Sequence, residues 1–145
     1  MTQTLSLGWT QAEARSRRSS YRRLLAVNLV LTALVALLAI VSPATLAHLL
    51  GLPAATPSAW PRAWGGMVLL AVLLYLPGWF EPVRARWANV VGIAGRGGMA
   101  LLYLLVALCG DVRGFLWLAL YDGGFAAALA VGYFRLFRAE LMSRP

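Results

Sequence analysis

The chain has 145 residues, of which 61% are hydrophobic and 12% are charged, and its formal net charge is +8. Together with a mean hydropathy of +0.73, this composition excludes a soluble globular protein. Four apolar segments, each long enough to cross a bilayer, use nearly the whole sequence and leave no room for an aqueous domain. We therefore predict an all-α integral membrane protein, a four-transmembrane-helix bundle with a short outer interfacial helix.

The basic residues are all arginines, and most of them flank the apolar segments. Ten of the thirteen fall on the side of the bundle where the chain begins and ends: Arg15, Arg17, Arg18, Arg22, Arg23, Arg84, Arg86, Arg135, Arg138 and Arg144. By the positive-inside rule, this predicts a multi-pass membrane protein with both termini in the cytoplasm. We expect anionic lipid headgroups as counter-ions and no nucleic-acid binding, which needs an aqueous basic face.

The polar N-terminal segment 1–23 ends in a cluster of arginines and predicts a cytoplasmic anchor. Part of it, residues 11–23, is expected to lie as a basic helix along the headgroups. The first span is predicted over 24–41, with Asn28 and Thr32 one turn apart and facing other helices. A cleaved signal peptide is the alternative, but the 18-residue apolar run exceeds the roughly 7–15 residues typical of a signal.

A short outer helix is predicted over 43–50. Ser42 suits an N-cap, Pro43 suits the first helical position, and Gly51 is a natural helix stop. As in an interfacial helix, we expect His48 to meet water and the leucines to lie on the bilayer. These leucines are Leu46, Leu49 and Leu50.

The remaining spans are predicted over 60–76, 88–109 and 115–134. Pro77 and Gly78 are expected to end the second span, because proline disrupts a helix interior. A tight outer turn at 111–113 joins the last two spans, and residues 135–145 form a cytoplasmic tail.

Two charged residues, Arg96 and Asp122, fall inside predicted spans. Each costs about 2.5–3.5 kcal/mol on insertion scales and therefore needs a partner. Their axial positions permit an ion pair between the third and fourth spans, with Arg62 as a competing partner for Asp122. The cluster of Arg62, Arg96 and Asp122 either locks the bundle, binds a quinone, lipid headgroup or other small ligand, or relays protons.

Small residues surround both charges, where they let helix backbones approach closely. We predict helix packing at Gly92, Gly95, Gly124, Ala128 and Gly132. Packing within the chain is the simpler interpretation, and contact with a second copy or another membrane protein is the alternative.

Candidates for catalysis and metal binding are few. The chain has one histidine, His48, and one cysteine, Cys109, so a disulfide or bis-histidine haem ligation within one chain is excluded. Cys109 is expected to be a small buried side chain. Catalytic triads and metal clusters lack the necessary residues, so we predict neither a catalytic nor a metal site.

Several short motifs resemble the DoxX-like group of small four-helix bacterial membrane proteins. They are Ser42-Pro43, the segment Leu49-Leu50-Gly51-Leu52-Pro53, Arg62 followed by Trp64-Gly65, the segment GIAGR over 92–96, and Asp122. The resemblance covers about residues 24–134 and implies a four-helix bundle with a polar cluster of Arg62, Arg96 and Asp122. Such families include subunits linked to quinone-coupled sulfur oxidation, and the resemblance implies a location in a bacterial inner membrane. The arginine-rich N-terminus is not part of that pattern.

The leading hypothesis from the sequence is a non-enzymatic accessory or assembly subunit of a larger membrane complex, with a membrane protein or a second copy as partner. The alternative is a quinone- or lipid-binding subunit of an oxidoreductase whose redox cofactors lie on a partner. No cofactor-binding motif is present in the chain itself, and for this alternative a quinone is the expected cofactor. A small-molecule transporter is the third hypothesis.

Overall fold

The computed structural model describes residues 2–54, 56–110 and 112–143, with side chains described from residue 10 onward. Those residues form five helices and no strand: α1 (Thr2–Val41), α2 (Pro43–Leu50), α3 (Ala59–Phe80), α4 (Arg86–Cys109) and α5 (Phe115–Met142). Four of them, α1, α3, α4 and α5, are long and apolar enough to cross a membrane. The predicted fold class is therefore confirmed. Asp111 of the predicted outer turn and Arg144 of the predicted tail lie outside the described residues.

The four long helices form a ring. Helix α1 packs against α3 and α5, α5 packs against α4, and α3 meets α4, while the short α2 packs against α1. We call the end that holds the start of α1, the α3–α4 connection and the end of α5 the arginine-rich end. The opposite end, which holds α2, is called the α2 end.

The apolar core lies in the half of the bundle toward the arginine-rich end. It consists of Tyr21, Leu25 and Leu29 of α1 packed with Leu129 and Leu136 of α5. Large apolar side chains of all four long helices also face outward, among them Leu34, Leu74, Leu105 and Phe134. Because lipid is as apolar as these side chains, helix association in a membrane depends on packing and internal hydrogen bonds.

Helices α1 and α3 approach each other closely through small residues. Ala36 and Ala39 are fully buried, and they lie opposite Gly65 of α3. A Cβ atom added at Gly65 would lie 2.7 Å from the carbonyl oxygen of Ala36. The absence of a side chain at Gly65 therefore sets the separation of these two helices.

Helix α1 continues without a break through the arginine cluster, so the prediction of a separate helix over 11–23 is not what the structure contains. Ala14 and Tyr21 are buried, at 5% and 2% exposure. They continue the face of α1 that carries Leu25 and Leu29, at spacings of seven and four residues. This face holds the N-terminal segment against the bundle.

Two other predicted boundaries differ from the structure. Helix α3 runs through Pro77 to Phe80, and α5 continues past Phe134 to Met142. Pro77 has no N–H to donate to the carbonyl of Leu73, but the turn that follows it is held against α1, where Nε1 of Trp79 donates to the Arg22 carbonyl at 3.1 Å. The end of α5 remains helical because Leu136 and Ala139 are buried against the rest of the bundle.

The bounds of α2 match the prediction, and Gly51 ends it in a left-handed conformation with φ of 65°. Its leucines do not all face the bilayer. Leu46 is only 8% exposed, whereas Leu49 is 67% exposed. Leu50 also lines an internal cavity, so α2 turns its apolar face toward the bundle. The expectation that His48 is exposed is confirmed.

Candidate ligand-binding site

The predicted ion pair between Arg96 of α4 and Asp122 of α5 is present. The two side chains are 7% and 14% exposed, so the pair is almost completely shielded from the surroundings of the bundle. A buried charge is stable only when it is paired and hydrogen-bonded. The pair therefore joins α4 to α5 in the interior.

Thr32 connects this pair to α1. Arg96 donates a second hydrogen bond from Nη2 to the Thr32 hydroxyl, and that hydroxyl donates its single proton to the Asn28 carbonyl at 2.7 Å. Tyr121 must then donate its own hydroxyl proton to Thr32, at 3.0 Å. Three helices thus fix the orientation of the guanidinium group.

Aromatic rings of α5 support the same guanidinium group. The Cζ atom of Arg96 lies 5.7 Å from the ring centre of Tyr121 and 6.0 Å from that of Phe125. Both distances are within the range of cation–π attraction. These rings further stabilise a charge that lies deep inside the bundle.

A cavity of about 540 Å³ opens beside the ion pair. Polar atoms line it where Arg96, Asp122 and Thr32 lie, and the rest of its wall is almost entirely apolar. The wall includes Val35, Val68, Val72, Met99, Trp117 and Leu118, together with the rings of Trp64, Tyr75, Tyr103 and Tyr121. An apolar pocket with a few convergent polar groups is the usual form of a small-molecule site.

A second cavity, of about 490 Å³, lies beneath α2. It shares five lining residues with the first cavity: Leu46, Leu50, Trp64, Tyr103 and Leu118. The two cavities are therefore neighbours across this shared wall. The first cavity alone extends from Leu46 and Leu50 of α2 to the Arg96–Asp122 pair, and it is the one we call the cavity.

Arg62 does not join the pair. It is exposed near the start of α3, it lines neither of the two cavities, and it forms no ion pair with any residue that the structure describes. The predicted cluster of three charges is thus reduced to Arg96 and Asp122. Thr32 and Tyr121 occupy the positions around them.

The small residues divide into two groups. Gly92 and Gly95 lie against Tyr75, and a Cβ atom added at Gly132 would lie 3.3 Å from Tyr21 Cδ2. These three positions therefore pack within the chain. Gly124 and Ala128 are exposed, because they lie beside the buried stripe of α5 rather than on it, and no atom lies within 4 Å of a Cβ built at Gly124.

Cys109 is also exposed, so its expected burial is wrong.

A second polar cluster, which the sequence reasoning missed, lies toward the arginine-rich end. Tyr21 donates to Oδ1 of Asn89 at 2.7 Å. Nδ2 of Asn89 donates to the carbonyls of Pro82 at 3.2 Å and Gly78 at 3.4 Å. Asn89 thereby ties α1 to the connection between α3 and α4.

A spacing in the sequence could have revealed this cluster. Asn89, Arg96 and Tyr103 follow one another at intervals of seven residues, and all three are buried. Positions seven apart lie on the same side of a helix. The side of α4 that carries Arg96 therefore also carries Asn89 and Tyr103.

No family model, curated protein or solved structure was found to match this chain. What the protein does must therefore be inferred from the cavity and its polar end.

Proposed function

We propose that the protein is a membrane subunit that binds an apolar ligand with a neutral, hydrogen-bond-accepting head group, of the quinone class. The observation that supports this most directly is the apolar cavity that reaches the Arg96–Asp122 pair. A ligand tail would occupy the apolar wall, and its head group would meet the polar end.

The charges at the polar end favour a neutral head group. Arg96 and Asp122 together carry no net charge, so an anion would meet Asp122 and a cation would meet Arg96. The guanidinium group has five N–H donors, and the bonds to Asp122 and Thr32 use two of them. The remaining donors suit a carbonyl oxygen.

The depth of the pair favours a quinone over a phospholipid. Arg96 lies ten residues into α4, which is about 15 Å along the helix axis. That is near the middle of an apolar layer of about 30 Å. Phospholipid headgroups lie at the bilayer surface, whereas a membrane-soluble quinone reaches the middle of the bilayer.

The cavity offers an apolar wall for a tail and hydrogen-bond donors for a head group. The redox cofactors that would react with a bound quinone lie on a partner in this proposal, as in the oxidoreductase subunits that the DoxX-like resemblance implies. The arginine distribution supports a cytoplasmic location for both termini, and the DoxX-like resemblance implies a bacterial inner membrane.

A second candidate function is that of an accessory or assembly subunit without a ligand. The outward position of Gly124 and Ala128 favours it. Small residues exposed to lipid let a neighbouring transmembrane helix approach closely. Both functions are compatible with a partner, so ligand binding is the property that distinguishes them.

Ligand binding is tested by quenching of tryptophan fluorescence. Trp64 and Trp117 line the cavity, so titration of the detergent-purified protein with a short-chain benzoquinone should quench the fluorescence saturably. Ala71→Phe, which fills the cavity, should abolish the saturable phase. Leu70→Phe is the matched control, since Leu70 is the neighbouring residue, is 62% exposed and faces outward.

Two results would contradict a quinone site. One is quenching that rises linearly with quinone concentration, as simple partition into the micelle would give. The other is an equal effect of Ala71→Phe and Leu70→Phe. A stoichiometric protein partner together with either result would favour the accessory subunit.

A further inference from the structure

A basic groove of about 500 Å³ lies at the arginine-rich end, far from the cavity. Its walls come from the first part of α1 and the last part of α5. Arg17 and Glu13 line it on the α1 side, and Arg135 and Arg138 line it on the α5 side. The groove therefore depends on the continuation of both helices beyond their apolar spans.

The groove has an excess of positive charge. Arg17 pairs with Glu13 at 3.4 Å, which leaves Arg135 and Arg138 without an ion-pair partner among the described residues. These two arginines are three residues apart and so lie on neighbouring parts of one helix face. Two like charges on one concave surface attract an anion.

The wall of the groove is not only polar. Ala139 and Met142 contribute apolar surface beside the arginines. Phe134, which is 66% exposed, immediately precedes Arg135. The groove thus begins where the apolar face of α5 ends, at the level expected for the surface of a bilayer.

We propose that this groove binds the phosphate group of an anionic phospholipid. The planar guanidinium groups of Arg135 and Arg138 match phosphate oxygens with paired hydrogen bonds. The acyl chains extend from the groove toward the apolar face of α5, which ends at Phe134. The bound lipid bridges α1 and α5, the two helices whose described residues line the groove.

This site differs from the general attraction of arginines to an anionic membrane. General attraction depends on net charge and predicts equal losses for any two arginines removed from this end. A site depends on the convergence of side chains from two helices. Arg15 and Arg23 provide the matched control, because both are exposed on α1 near the same end and line no part of the groove.

The experiment is native mass spectrometry of the detergent-purified chain with added phosphatidylglycerol or phosphatidylcholine. The wild-type protein should retain phosphatidylglycerol in preference to phosphatidylcholine. Arg135→Gln combined with Arg138→Gln should weaken this retention by about tenfold or more, as expected for lost charge-assisted hydrogen bonds. Arg15→Gln combined with Arg23→Gln should leave it nearly unchanged.

A second variant separates binding from folding. Arg135→Lys combined with Arg138→Lys keeps the charge but loses the planar fork. Its thermal unfolding should match that of the wild type, and its retention of phosphatidylglycerol should fall between those of the wild type and the glutamine variant.

The source of the phosphate is distinguished by competition with glycerol phosphate and with inorganic phosphate. Failure of both to displace the lipid supports a headgroup site anchored by the acyl chains. Binding of either soluble anion without lipid would overturn the assignment to a lipid. Equal losses in the two glutamine variants, or equal retention of the two lipids, would overturn the site itself.

Discussion

The Arg96–Asp122 pair illustrates how a single buried charge depends on its partner. We expect Asp122→Asn to lower the thermal stability in detergent strongly, because breaking a buried pair costs about 3–5 kcal/mol. Arg96→Gln added to Asp122→Asn should cost much less than Arg96→Gln alone, because the interaction is already lost. Melting curves of the four proteins measure this coupling.

Arg62 provides the control for this cycle. It is exposed and forms no ion pair with the described residues, so Arg62→Gln should have a small effect that adds to that of Asp122→Asn. Purely additive losses for Arg96 and Asp122 as well would refute the pairing.

The Asn89 side chain forms hydrogen bonds on two sides, with α1 and with the region where α3 ends. Asn89→Leu leaves the Tyr21 hydroxyl and the carbonyls of Gly78 and Pro82 without their partner. Each buried polar group that loses its hydrogen-bond partner costs about 1–3 kcal/mol of stability. The melting temperature should therefore fall much more for Asn89→Leu than for Tyr21→Phe, which loses one hydroxyl. Equal losses in the two melting curves would show that the carbonyl contacts contribute nothing.

The sequence predicted the charged pair but not the groups around it. Charges in an apolar span must find opposite charges, and Arg96 and Asp122 leave little choice. The contacts of Thr32 and Asn89 depend on the rotation of α1 and α4 about their axes, which hydropathy does not determine. Arg62 was misplaced for the same reason, since its axial level near the α2 end says nothing about the direction of its side chain.

At the scale of helices, the close contact between α1 and α3 depends on Gly65, which has no side chain. Gly65→Ala would place a Cβ atom 2.7 Å from the carbonyl oxygen of Ala36 and 2.9 Å from Cγ1 of Ile40. The helices must separate to admit it, which costs about 1–3 kcal/mol. We expect a lower melting temperature in detergent.

The neighbouring Gly66 is the control for that substitution. Nothing lies within 4 Å of a Cβ atom built there, so Gly66→Ala gains up to about 1 kcal/mol of helix propensity without a clash. Its melting temperature should be equal to or above that of the wild type. Equal gains at both positions would show that α1 and α3 are not in close contact.

A helix boundary can be predicted from the sequence when the residues that determine it are next to it in the chain. The bounds of α2 are encoded in adjacent residues, since Pro43 and Gly51 act on their own backbone. The end of α3 beyond Pro77 and the extension of α5 to Met142 depend on packing against other helices. The same dependence explains why segment 11–23 continues α1, since Tyr21 packs on Leu129 and Leu136.

At the scale of the whole molecule, the two ends of the bundle carry different chemistry. The arginine-rich end holds the basic groove, and the α2 end opens into the apolar cavity. On the two proposals, a ligand that dissolves in the membrane reaches Arg96 from the α2 half of the bundle, and an anionic lipid binds at the opposite surface. If both termini are cytoplasmic, the cavity faces the outer half of the bilayer.

Orientation can be measured because the chain has a single cysteine. In a Cys109→Ala background, Thr56→Cys places a thiol in the connection between α2 and α3, and Ser143→Cys places one directly after α5. With intact spheroplasts and a membrane-impermeant maleimide, the thiol at position 56 should react at once. The thiol at position 143 should react only after the membrane is broken, because the positive-inside rule predicts a cytoplasmic location for the end that carries ten of the arginines. The reverse pattern would show that the protein has the opposite orientation. The α2 end of the cavity would then lie in the cytoplasmic leaflet, and a quinone would enter from that side.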